Sequence, residues 1–149
     1  MRIAEELYEN PKVKFLYSDE DKIDSKGKRS DPYFKPDWNP ELLLSQNYIC
    51  HLTCCEKQLV DELGGFREGY EGAQDWDLFL RITECLNDSE ISHIPEILYH
   101  WRMSSNSTAK TISSKDYVLQ SAKNVLEDTI TRRKISANIT PINDKFSYW

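Results

Sequence analysis

The chain has 149 residues, with 19 Lys and Arg against 25 Asp and Glu and a formal net charge of -6, long enough for one domain with a real core. That acidic balance, with no run of Lys and Arg to offset it, disfavours nucleic acid as a partner, and no stretch approaches the ~20 apolar residues of a membrane span. The start, MRIAEELYEN, lacks the apolar core of a signal peptide, and Cys50, Cys54, Cys55 and Cys85 match no C-x-x-C zinc spacing, so the cysteines read as reduced thiols of a cytoplasmic protein.

In chain order, residues 2–9 predict a short helix with Ile3, Leu7 and Tyr8 facing inward, stopped by Asn10-Pro11. VKFLYS (13–18) predicts a strand covered on both faces, since Val13, Phe15 and Tyr17 alternate and Leu16 is also apolar. The acidic run SDEDKID then falls where that strand is expected to end, the position at which open α/β sheets bind ligands. Residues 26–40 read as a long connector rich in proline and aromatics. ELLLSQ (41–46) predicts one or two helical turns, NYICHLTCC (47–55) a strand, and EKQLVDEL (56–63) a helix closed by a left-handed Gly64 or Gly65. FREGYEGA reads as a loop. QDWDLFLRITECL (74–86) predicts a helix apolar on most faces, hence buried. ISHIPEILYHWRM (91–103) predicts one or two strands interrupted by Pro95, SSNSTAKTISS a polar linker, and residues 115–134 a helix with Val118, Ala122, Val125, Leu126 and Ile130 in register. The tail from Ile135 to Trp149 shows no clear pattern.

Asp19 and Asp21 stand at i and i+2, a spacing that lets two carboxylates approach one point while Glu20 turns away. Such a pair either lies in a solvated loop or holds Mg²⁺ or Mn²⁺ with water and phosphate completing the shell. Asp77 has Arg81 four residues on, a helical ion pair. Asp75 has no such local partner and reads either as a helix-capping carboxylate or as a general base. His100 lies among aromatics in LYHWR and reads either as a core histidine or as a metal ligand.

Taken in order, YSDEDKID, PYFKPDWNPELLLSQNY, ELGGFREGYEGAQDWDLFLR and HIPEILYHWR resemble the second half of a family 2 glycosyltransferase catalytic domain, in the bacterial branch that builds O-antigen and other surface polysaccharides. The resemblance runs from roughly residue 5 to 109. It implies the GT-A fold and inverting transfer from a nucleotide-diphosphate sugar to a glycan or lipid-linked acceptor, at the inner face of the membrane, with Mn²⁺ or Mg²⁺. It further implies that SDED is the D-x-D motif, with Asp19 near the donor ribose and metal and Asp21 on the metal. AQDWDL resembles the E-D motif with Gln74 in place of Glu, which makes Asp75 the base. His100 would complete the metal site, Gly64, Gly65 and Gln74 would line the donor, and Trp38 would face the acceptor.

Nothing in the chain matches the strands that open the family domain and form its nucleoside pocket. The expectation is therefore a partial GT-A fold: residues 1–110 as the C-terminal half of the catalytic domain, then a helix and tail over 111–149, inactive in isolation. The missing strands are expected to leave an open sheet edge beside residues 13–18 that favours self-association. The competing readings are a non-catalytic remnant or interaction module that keeps the fold, and a metal-dependent phosphohydrolase, for which His51, His93 and His100 offer no paired spacing.

Overall fold

The strand expected at 13–18 does not stop before the acidic tract. In the computed structural model, which describes residues 1–103, 116–143 and 147–148, β1 spans Phe15–Ile23. Asp19, Glu20 and Asp21 are buried within it. These three are neither in a solvated loop nor past the strand end, because each carboxylate finds partners on other elements. Only Asp24 behaves as a loop residue. Its Oδ1 accepts the N–H groups of Lys26 at 2.8 Å and Lys28 at 2.9 Å, an Asx-type turn that Gly27 completes at φ 82°.

That turn leads into β2 (Arg29–Tyr33), which pairs antiparallel with the second half of β1. The connector expected over 26–40 thus hides a strand. Its Arg-Ser-Asp-Pro-Tyr composition carries little β propensity, and a proline is tolerated there because β2 lies at the sheet edge. β3 is short, Thr53–Cys55, and pairs antiparallel with Phe15–Tyr17. The strand expected from residue 47 is absent because the chain leaves the sheet at Asn47–Leu52, with Cys50 at φ 41° and the Ile49 and His51 carbonyls turned onto the Lys35 ammonium.

β4 (Ile91–Arg102) is one strand, parallel to β1 along its length. Pro95 does not break it. The register jumps from Ser18↔Ile94 to Asp19↔Ile97, a bulge that accommodates the residue lacking an N–H. β1 is therefore the central strand, with β4 on one edge and β3 and β2 on the other. This corrects the expectation of an unpaired edge beside residues 13–18.

Among the described residues the α-helices are five. α1 (Arg2–Glu9) ends at Asn10 as expected, but Leu7 and Tyr8 are exposed. α1 is fastened by polar groups instead, Arg2 to Glu96 at 2.7 Å and Glu6 to Ser92 at 2.6 Å. α2 (Pro40–Ser45) is capped by Asn39, whose Oδ1 accepts the Leu42 N–H at 2.7 Å. α3 (Lys57–Glu62) ends in a Schellman arrangement: Gly65 N–H donates to Val60 O at 2.9 Å and Gly64 N–H to Asp61 O at 3.1 Å. Gly64 sits at φ 77° with open space where a Cβ would go. Gly64→Ala is thus expected to cost about 1–2 kcal/mol from backbone strain alone, read as a lowered thermal midpoint; no change would show that the cap tolerates an L side chain.

α4 (Gln74–Thr83) is buried from Trp76 to Thr83, as its apolar pattern predicts. Phe79 meets Phe15 edge-on with ring centroids 5.5 Å apart. α5 (Asp116–Arg132) sends Ala122, Val125 and Leu126 into the same core as Trp76, Leu80 and Ile82. β5 (Pro141–Asn143) and β6 (Ser147–Tyr148) form a small antiparallel ribbon. The polar linker expected at 104–114, and with it the boundary at 110/111, lies outside the described residues. The architecture is mixed α/β. Among the described residues no helix is long and apolar enough to cross a membrane.

Candidate functional site

The period-2 alternation of β1 puts Asp19 and Asp21 on the face of Phe15 and Tyr17, and Glu20 on the opposite one. The parallel register then sets Asp21 beside His100. The His100 Nδ1 lies 2.5 Å from Asp21 Oδ1, and the other carboxylate oxygen accepts Arg29 Nε at 2.5 Å. Asp21 is 4% exposed, whereas the imidazole and guanidinium reach solvent. Burial pushes the Asp21 carboxyl up, but the hydrogen bonds and charges of Arg29 and His100 outweigh it and hold the pKa below its ordinary value.

The depressed carboxyl has a pH consequence of definite sign. The stability it contributes is present above the unfolded value near ~3.9 and is lost as pH falls through the lower folded value. Asp21→Asn should flatten the acid limb of stability against pH, measured by urea unfolding below about pH 4. An acid limb identical to wild type would mean that the pairing carries no such linkage.

Asp19 is equally buried but is engaged elsewhere. Its Oδ1 accepts the Lys35 N–H at 2.9 Å and lies 2.9 Å from His93 Nε2. His93 in turn stacks on Tyr17 with centroids 4.8 Å apart and reaches Asp37 through Nδ1 at 3.1 Å. Sequence reasoning passed over His93 as a partner. Nothing local marks it; the parallel register, with Tyr17 opposite His93, is what brings it in. Among the described residues no three His, Cys, Asp and Glu side chains converge on one point.

Glu20, on the far face, accepts the His51 N–H at 2.9 Å and stands 3.4 Å from Lys35 Nζ. Burial pulls the Lys35 pKa down, against the opposing pull of Glu20. Residues 47–51 link this group to Asp75. Asn47 Nδ2 donates to Asp75 Oδ2 at 3.1 Å, and Asp75 Oδ1 accepts the Trp76 N–H at 2.9 Å. Asp75 is half-buried in the first turn of α4 and is not its N-cap, which is Ala73. Among the described residues neither Asp75 nor Asp19 shares a hydrogen bond with the Asp21–His100 pair. Between Asp75 and Glu20 lies Cys50, whose thiol is pushed up to about 12 by burial, then by the two carboxylates. In the native protein iodoacetamide should label exposed Cys85 well before Cys50, because the thiolate is the reactive form. Peptide mapping that finds Cys50 labelled first would contradict this placement.

The remaining residues singled out from the sequence hold backbone or packing positions. Gln74 Oε1 accepts the Gly72 N–H at 2.6 Å. Trp38 packs against the core and donates Nε1–H to Asp88 at 2.9 Å. The Gly64-Gly65 turn is tied to α4 by Arg81, which donates to Leu63 O at 2.8 Å and Gly65 O at 2.6 Å. Arg81 also pairs with Asp77 at 2.8 Å as its spacing predicts. Asp77 has a second cation that spacing did not reveal, Arg67, which also reaches Asp128 of α5 at 3.0 Å.

No protein-family model matches the chain. It is 44% identical over 142 residues to the uncharacterized protein y4gI of Sinorhizobium fredii and 39% identical over 141 residues to the O-antigen biosynthesis protein RfbC of Myxococcus xanthus. Each match covers 93% of this chain but only 15% and 11% of the respective relatives. The chain is thus similar, along nearly its whole length, to a small segment of a much longer protein named for O-antigen biosynthesis.

Proposed function

We propose that the chain is the cation-holding and acceptor-activating part of an inverting family 2 glycosyltransferase with the GT-A fold, acting in surface polysaccharide synthesis. The observation that carries this reading is the juxtaposition of Asp21 and His100 on adjacent parallel strands. One carboxylate and one imidazole form a donor set suited to Mn²⁺, and also to Mg²⁺, ions that take their remaining ligands from water and phosphate. The name of the Myxococcus xanthus relative supports a role with sugar and glycan substrates.

A divalent ion at Asp21 and His100 would offset the charge that gathers on a departing nucleoside diphosphate. The rest falls to the chain's own groups. Asp19, gripped by the Lys35 N–H and His93, is a carboxylate of fixed orientation for the donor ribose. Asp75 takes the proton of the acceptor hydroxyl as that oxygen attacks the anomeric carbon from the opposite side. The Asn47 amide and Trp76 N–H orient it for this task. The substrates on this reading are a nucleotide-diphosphate sugar and a glycan or lipid-linked acceptor at the inner face of the membrane.

Calorimetric titration of UDP, GDP and dTDP, with and without Mn²⁺, into a protein carrying this chain with its natural flanking sequence tests the reading. Binding of one nucleoside diphosphate that depends on Mn²⁺ and is lost in Asp21→Asn is the expected result. Binding of none, or binding indifferent to Mn²⁺ and to Asp21, would overturn it.

A further inference from the structure

We infer that Arg29 is a resident counter-cation that a divalent ion must displace from Asp21, so that the site is held shut by its own side chain until the metal enters. The inference rests on the reading of Asp21 and His100 as cation ligands and adds the regulation of that site.

The case begins with charge. A carboxylate as buried as that of Asp21 needs a cation beside it. Arg29 supplies one, through Nε at 2.5 Å to Oδ2, while His100 takes Oδ1. Both oxygens are thus engaged, one by the Arg29 guanidinium and one by the His100 ring nitrogen. A divalent ion seats ~2 Å from its ligand oxygens. At that distance it would repel a guanidinium still bonded to the same carboxylate.

Arg29 is also placed to leave. It is the first residue of β2, next to the Asp24–Lys28 turn, and its side chain is 50% exposed. Among the described residues its guanidinium makes no other ion pair. Swinging it outward therefore breaks one charge-assisted bond and opens the Asp21 carboxylate to solvent. His100, also partly exposed, would give up its hydrogen bond to Oδ1 and turn a ring-nitrogen lone pair to the incoming ion. The released guanidinium would then stand at the edge of the site, where its planar donor fork matches a phosphate group.

The cost of breaking the Arg29 bond subtracts from metal affinity, so removing the guanidinium should raise that affinity. Mn²⁺ binding to the purified 149-residue chain can be followed through the paramagnetic resonance signal of the free ion. Arg29→Gln is expected to bind Mn²⁺ on the order of tenfold more tightly than wild type, the scale of one hydrogen bond to a charged group. Arg29→Met, which keeps the apolar stem, must move affinity in the same direction. Circular dichroism confirms that both variants fold.

Unchanged or weaker Mn²⁺ binding in both Arg29 variants, with wild-type binding still lost in Asp21→Asn, would overturn the inference and leave the metal site standing. Mn²⁺ binding that survives Asp21→Asn, or that is absent from wild type and variants alike, would overturn the inference and the metal site together.

Discussion

Asp77→Asn is expected to destabilise the protein by about 3–5 kcal/mol, the cost of leaving a buried charge without its partner. Asp77 is fully buried, and two guanidiniums converge on it, Arg81 from the next turn of α4 and Arg67 from the loop before it. The amide keeps the shape of the side chain but not its charge, so both cations lose the carboxylate they share. Arg67 retains Asp128, and Arg81 retains the carbonyls of Leu63 and Gly65. Those partners keep the loss at the scale of one broken buried pair. Urea unfolding read on the four tryptophans measures the effect. A loss below about 1 kcal/mol would place the network in the class of exposed pairs that contribute little.

Asp75→Asn should leave the fold intact and remove the chemistry. In a preparation that transfers sugar, kcat is expected to fall by about 10²–10⁴-fold, the range that a positioned general base contributes, while nucleotide affinity stays at the wild-type value. Asp75 is half-buried and its two hydrogen bonds come from an amide and a backbone N–H, so an Asn side chain can occupy the same place without stranding a buried charge. The two neighbouring aspartates should therefore give opposite signatures: stability lost with residue 77, turnover lost with residue 75. Equal transfer rates for wild type and Asp75→Asn would remove it from the base role.

Much of this arrangement was legible because it depends on short spacings. The i, i+2 step separated Asp19 and Asp21 from Glu20 although the strand was expected to end before them, the i, i+4 step of Asp77 and Arg81 made an ion pair, and apolar residues on most faces of 74–86 marked a buried helix. The Gly64-Gly65 cap was legible for the same reason. What escaped notice depends on partners far along the chain. The strand continues through SDED because Lys35, His51 and His93 engage its carboxylates, and no local pattern announces them; His100 beside Asp21 was expected only from the family resemblance. β2 was missed since its stability comes from pairing with β1, not from its composition. Arg67 was missed as a partner of Asp77 because the loop that carries it must first fold back over α4. Leu7 and Tyr8 mislead in the other direction: helical periodicity marks a face as apolar but does not say that anything covers it.

The clamp on Asp77 has a mechanical side. α4 carries Asp75 two residues before the carboxylate that Arg67 and Arg81 grip, and Arg67 extends the grip to α5 through Asp128. A roll or slide of α4 would break the Arg67–Asp77 pair and the bonds from Arg81 to the Leu63 and Gly65 carbonyls. The azimuth of Asp75 is therefore set by a contact made two residues away, independently of its own hydrogen bonds to Asn47 and Trp76. Arg29 and the turn at Asp24–Lys28, by contrast, stand at the solvent edge of the sheet.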